Sequence, residues 1–276
     1  MDPYSNRTII VTGATGGIGS AIVDSLVCRK APHITLAVRD TEAGFKLAER
    51  YTSADTTFSV RHLDLTLFSS VKKFADGIAA GELPVGALIN NAGMLARRLT
   101  VTADGYEVTM QVNFLAPVLL TTLLLPAMAN SSSVLFTSSF MRRVGYIEPD
   151  WMGLSLHHFN RFVVYAWSKL MLTQMAREMA PSMACRSIRL NCTDPGIVNT
   201  EILRLGNSFI DSLADHLLRP VIRTPQQAAE ATLKALDSPL YGQIFTRHGY
   251  SAIAFRDPKH ISEKAVADMM RKLNIV

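Results

Sequence analysis

The sequence predicts an α/β protein, a single doubly wound parallel sheet flanked by helices on both faces. Three observations carry that prediction. Apolar, β-rich runs alternate with longer helical patterns along the whole chain. Most of those runs lack polar alternation, as expected of strands covered on both faces. A glycine-rich turn joins the first run to the first helical pattern. Alternation on this scale implies right-handed crossovers and a parallel sheet.

The strand candidates in order are TIIVTG (8–13), ITLAV (34–38), FSVRHLDL (58–65), GALINN (86–91), SVLFTSS (133–139), SIRLNCTDPG (187–196) and GQIF (242–245). Between them, residues 18–29, 42–51, 69–80, 105–129, 161–179 and 226–236 read as helices. No repeat, low-complexity segment or linker interrupts the alternation, so residues 1–276 are expected to form one domain.

Composition bounds the function. With 48% hydrophobic and 18% charged residues, the chain has enough apolar material for a full core. A net charge of +5 is mildly basic, and the Lys and Arg residues are scattered rather than clustered in a nucleic-acid arm. Nucleic acid is therefore not an expected partner; a solvated basic surface or an anionic small molecule accounts for the charge. Cys28, Cys185 and Cys192 lack metal-ligand spacing and read as reduced thiols, so no metal is expected. The polar start MDPYSNR shows no signal peptide, and the apolar stretch 114–128 reads as too short for a membrane span. Together these point to a cytoplasmic protein.

In doubly wound sheets, ligands bind at the carboxyl ends of the strands. Those ends are chemically rich here. VTGATGGIGSAI places Gly13, Gly17 and Gly19 between the first strand and helix, where free N–H groups and the helix dipole favour a pyrophosphate. Its G-x-x-x-G-x-G spacing differs from the general G-x-G-x-x-G fingerprint. The second strand ends on Val38, where an NAD enzyme places an acid for the ribose hydroxyls. Arg39 follows with a planar fork suited to a phosphate. Asp40 either pairs with a ribose hydroxyl or caps the next helix. YAWSK sets Tyr165 and Lys169 four apart, one above the other on a helix. That spacing suits a surface pair, and it equally suits an ammonium that lowers a phenol from its ordinary pKa of about 10.

TGATGGIG (12–19), NNAG (90–93), Ser139, YAWSK (165–169) and PGIVNT (195–200) occur in the order and approximate spacing of the short-chain dehydrogenase/reductase family. The chain resembles that family from about residue 7 to residue 246. LAVRD, HLDLT, the interval from Ser139 to Tyr165 and TPQQAAEATLKALDSP resemble its retinol-dehydrogenase-like branch. The resemblance implies a Rossmann-type fold, an NADP(H) cofactor and hydride transfer to or from a lipophilic alcohol or carbonyl. It makes Tyr165 the acid/base, Ser139 rather than Ser138 the residue that holds the substrate oxygen, and Lys169 a ligand of the nicotinamide ribose. Asn113, unfavourable inside a helix by propensity, would bend that helix and fix a water beside the lysine.

The same resemblance extends to the cofactor contacts. Thr15 and Ile18 join the three glycines at the phosphates. Asp64 and Leu65 meet the adenine, with helix capping the other role open to Asp64. Asn91, Ala92 and Gly93 pass the adenosine ribose. Pro195, Gly196, Ile197 and Thr200 hold the carboxamide and diphosphate. Asp194 departs from the His or Asn usual in that branch and alters the electrostatics near the nicotinamide. Segments near 140–164 and 201–222 are expected to form an apolar substrate wall and lid. A conjugated C=C reductase built on the same Tyr and Lys, and a catalytically silent NADP sensor, are the competing functions. A homodimer packed through the helices at 105–129 and 161–179 is the expected assembly.

Overall fold

The computed structural model describes residues 6–52, 54–145, 159–197, 223–254 and 261–272. All eight described strands lie in one sheet, ordered β3-β2-β1-β4-β5-β6-β7-β8. They are β1 (Thr8–Thr12), β2 (His33–Val38), β3 (Thr57–His62), β4 (Val85–Asn90), β5 (Met128–Thr137), β6 (Arg189–Thr193), β7 (Gln243–Phe245) and β8 (Tyr250–Ala252). The first seven pair in parallel, and β8 closes the edge antiparallel to β7. Order reverses beside β1, whose neighbours are β2 and β4, and this places a switch point at the end of the first strand.

The helices are α1 (Gly17–Cys28), α2 (Thr41–Glu49), α3 (Phe68–Ala79), α4 (Val108–Ala127), α5 (Arg161–Ala184), α6 (Pro225–Asp237) and α7 (Ile261–Lys272). Two apolar cores hold them to the sheet. Phe68, Phe114, Leu119, Phe136 and Met171 belong to one, and Ile22, Leu26, Leu36, Ile89 and Leu236 to the other. The central strands β1 and β4 are buried along their whole length, which is why their sequences carry no alternation.

Several boundaries differ from the sequence expectation. The helix expected from residue 105 starts at Val108, because Gly105 takes a positive φ of 85° and Glu107 caps the helix by accepting from Met110 N. Helix α4 then runs unbroken for 20 residues, longer than the apolar stretch read from the sequence. By length and composition it could cross a membrane; 83% of its apolar window is buried inside the fold. Helix α5 continues through Pro181 to Ala184 instead of stopping at Met179. Strand β6 ends at Thr193, leaving Asp194 to Gly196 as a turn. Strand β8 and helix α7 were not anticipated. The exposed three residues of β8 offer no apolar run, whereas α7 does carry a buried stripe of Ala265, Val266, Met269 and Met270.

Candidate active site

The β1–α1 turn is shaped by what its residues lack. Gly13 has φ +62°, and a Cβ there would lie 2.9 Å from Ala92 Cα. A Cβ on Gly19 would lie 2.1 Å from Gly13 O. The turn can therefore close only with glycine at these positions. Thr15 and Gly17 are exposed at its tip, and Ile18 is half-buried. The segment after β4 latches onto it. Asn91 Nδ2 donates to Thr12 O at 3.1 Å, and Ala92 N donates to Thr12 Oγ1 at 3.0 Å. Thr12 was not singled out from the sequence, and its hydroxyl explains part of why a small polar residue ends β1.

Val38 is buried at the end of β2, and Arg39 stands exposed beyond it. Among the described residues Arg39 has no ion-pair or hydrogen-bond partner. Asp40 caps α2, its Oδ1 accepting from Ala43 N at 3.0 Å, which is one of its two expected roles. Asp64 does not cap α3. Its Oδ1 accepts from Thr66 N and Thr66 Oγ1, while Asp104 Oδ2 takes Phe68 N at 2.8 Å. Asp64 is half-buried at the end of β3, with Leu65 buried next to it.

Asn113 lies in a π-helical turn, Gln111–Leu115, within α4. Such single π-turns inside helices are frequent at functional sites. Oδ1 accepts from Met94 N at 2.8 Å, and Nδ2 donates to Met94 O at 2.9 Å and to Ser168 Oγ at 3.1 Å. Gly93 sits against this group. A Cβ there would come 3.3 Å from both Asn113 Oδ1 and Lys169 Nζ. Asn113, Gly93 and Lys169 thus meet at one point under the ends of β4 and β5.

On α5, Lys169 is buried and donates from Nζ to Thr137 O at 2.7 Å. Its ammonium is 5.8 Å from the centre of the Tyr165 ring. The Ser139 side chain stands near enough to the Tyr165 hydroxyl to favour its ionised form. Ser139 Oγ also accepts from Met141 N at 3.2 Å. Ser138 points the other way, sharing a 2.7 Å hydrogen bond with Thr173 Oγ1. The structure therefore sets Ser139, and not Ser138, beside Tyr165.

Burial governs the ionisation of this group. Although Tyr165 as a whole is half-buried, desolvation of its titrating end pushes the phenol up to about 12. Ser139 opposes that rise, and the Asp194 charge adds to it. Lys169 is pushed down to about 8 by burial, against a raising influence from Cys192. The phenol thus shifts opposite to the tuning expected from the Tyr–Lys spacing, because burial dominates it. Cys192, buried on β6, is also pushed up to about 12 by burial, so it is a thiol at neutral pH.

Beyond β6, Gly196 takes φ +76° and packs under the Arg223 guanidinium. Arg223 Nη1 donates to Pro195 O at 3.1 Å, and Arg223 N donates to Ile197 O at 2.7 Å. Asp194 is buried and pairs with Arg142 at 2.6 Å. The sequence marked Asp194 as a departure but gave no sign of Arg142 as its partner. Thr200, the segment 201–222 and residues 146–158 of the expected substrate wall lie outside the described residues. Among the described residues no cluster of His, Cys, Asp or Glu could hold a metal.

A family model described as short chain dehydrogenase matches residues 7–209. The chain belongs to that family of oxidoreductases. Human retinol dehydrogenase 13 is 32% identical over 232 residues, covering 81% of this chain and 70% of its own. Mouse polyprenol dehydrogenase is 32% identical over 250 residues, covering 87% of this chain and 74% of its own. These relatives place the chain in the retinol-dehydrogenase-like branch. Among solved structures, a short-chain dehydrogenase from Sphingobium yanoikuyae in complex with NADPH superposes with a TM-score of 0.66. It is 18% identical, covers 98% of this chain and 94% of its own, and shares the fold.

Proposed function

We propose that this short-chain dehydrogenase is an NADP(H)-dependent oxidoreductase that interconverts a lipophilic alcohol and its carbonyl, with Tyr165 as acid/base. The observation that carries the reading is the junction of Tyr165, Ser139 and Lys169 at the carboxyl ends of β5 and β6. The residues fit a dinucleotide. Gly13 and Gly19 leave a backbone cradle that side chains would fill, and the slot at Gly93 opens toward Lys169 and Asn113. Arg39, exposed after the buried Val38 and without a partner among the described residues, suits a ribose phosphate, while Asp40 beside it is engaged in capping α2.

A bound nicotinamide would give or take the hydride. The chain's own residues move the proton. Near neutral pH Tyr165 is in the protonated form that can donate to a carbonyl oxygen, and burial makes it a weaker acid than a free phenol. Ser139 holds that oxygen beside the phenol, and Lys169 lies within reach of both the phenol ring and the Gly93 slot. The relatives act on retinol and polyprenol by name, which favours a bulky apolar substrate.

A screen of retinoid, steroid and polyprenol aldehydes and ketones with deuterated NADPH tests the reading. Deuterium is expected at the carbonyl carbon of the alcohol formed. Deuterium at a β-carbon of an enone would make the protein a C=C reductase, and no transfer to any carbonyl would count against the proposal.

A further inference from the structure

We infer that Arg142 and Asp194 form a positioning pair for Tyr165, bracing Ser139 against the turn after β6 and balancing the charge that the phenol feels. The inference rests on the acid/base reading of Tyr165 and adds to it a residue pair that sets how readily the phenol gives up its proton.

Arg142 lies in the short helical turn Phe140–Arg143 that follows Ser139. Its Nη1 donates to Asp194 Oδ2 at 2.6 Å and to Ser139 O at 2.9 Å. The other carboxylate oxygen, Oδ1, accepts from Gly196 N at 3.0 Å. Asp194 N in turn donates to Phe245 O at 2.7 Å. One continuous chain of polar contacts therefore links the ends of β5, β6 and β7. At one end is Ser139, beside the Tyr165 hydroxyl; at the other is the Pro195–Gly196 segment. Both charged side chains are largely withdrawn from solvent, at 11% and 6% exposure.

A bracing role alone does not explain the choice of charges. A buried ion pair often stabilises no better than apolar residues of similar volume. What an apolar pair cannot supply is a fixed electric field beside a proton-transferring group, where preorganised charge acts most strongly. Among the described residues, the charged groups by Tyr165 are these. Lys169 comes from its own helix, and Asp194 from the end of β6 with Arg142 bonded to it. Ser139 from β5 is neutral, and Cys192 on β6 stays protonated. The Asp194 carboxylate opposes formation of a phenolate, and the Arg142 guanidinium, held against that carboxylate, offsets it. Loss of either partner should move the phenol in opposite directions.

The test labels tyrosine with carbon-13 at Cζ and follows the Tyr165 resonance, assigned by its absence in Tyr165→Phe. The ionised fraction is read at the most alkaline pH at which circular dichroism shows the fold intact. Asp194→Asn should shift the ionisation ratio of Tyr165 about tenfold toward phenolate, and Arg142→Met about tenfold away from it. The double variant should fall between them, near the wild type. General damage to the site would move both single variants the same way. If Arg142→Met does not fold, the order wild type, double variant and Asp194→Asn decides, with Asp194→Asn the most ionised. Unchanged ionisation in the single variants, shifts of the same sign, or a double variant outside the range of the singles would overturn the inference. Failure of the acid/base reading looks different: Tyr165→Phe would keep its turnover while the titration still reported the pair.

Discussion

The β1–α1 turn and the Tyr165 site lie at the same end of the sheet and are built from opposite materials. At the turn the decisive features are missing side chains: Gly13 at positive φ, and Gly19 packed where a Cβ would meet a carbonyl. At the ends of β5 and β6 they are buried or half-buried polar and charged side chains: Ser139, Tyr165, Lys169, Arg142 and Asp194. The first region can hold a ligand but has no group to exchange a proton. The second carries groups that can exchange a proton and are costly to bury. The two should therefore fail differently, one in binding and the other in chemistry and pH dependence.

The largest expected effect on binding comes from Gly19→Ala. Its Cβ would stand 2.1 Å from Gly13 O, so the turn must open by more than an ångström. Displacement of that size costs roughly 10²-fold in productive geometry. NADPH fluorescence titration should show affinity weakened by about that factor; unchanged affinity would mean that the turn does not shape the binding site.

Arg39→Ala probes the same region through charge. A charge-assisted hydrogen bond contributes roughly 1.5–3 kcal/mol, or about 10- to 150-fold. NADPH affinity should fall by that order and NADH affinity should hardly change. Equal losses for both would remove Arg39 from the phosphate.

The charged region shows its effect in stability rather than in binding. Burial lowers Lys169 from 10.5 to about 8, so the unfolded chain binds its proton more tightly than the folded one. The folded state therefore loses stability as pH falls from about 10.5 to about 8, with no further loss below that. Lys169→Met removes the slope. The stability of the variant relative to wild type, from denaturant unfolding, should grow by roughly a few kcal/mol across that interval. A difference independent of pH would contradict the lowered lysine.

These contrasts track how much could be read from the sequence. The sheet and the order of helices α1 to α6 were legible, because continuous apolar runs such as GALINN, buried on both faces, announce central strands. The β1–α1 turn was legible because glycine spacing is a local property of the chain. Tyr165 and Lys169 were legible as a pair, yet the direction in which the phenol shifts was not. It follows from desolvation by distant elements, which no local spacing encodes. Arg142 and Asp194 are 52 positions apart and meet only because β5 and β6 are neighbours. The π-turn at Asn113 is intermediate: a poor helix former hinted at a distortion, and the bonds to Met94 and Ser168 came only with the fold.

The central claim is that Tyr165 moves the proton and the glycine turn does not. Turnover and NADPH affinity of Tyr165→Phe, measured together on a carbonyl substrate found in the deuterium screen, test it most directly. Positioned proton transfer contributes roughly 10²–10⁴-fold. Turnover should fall by at least about 10²-fold while NADPH affinity stays near wild type. A variant that keeps more than about half of its turnover, well inside the loss expected for a displaced proton donor, would contradict the account.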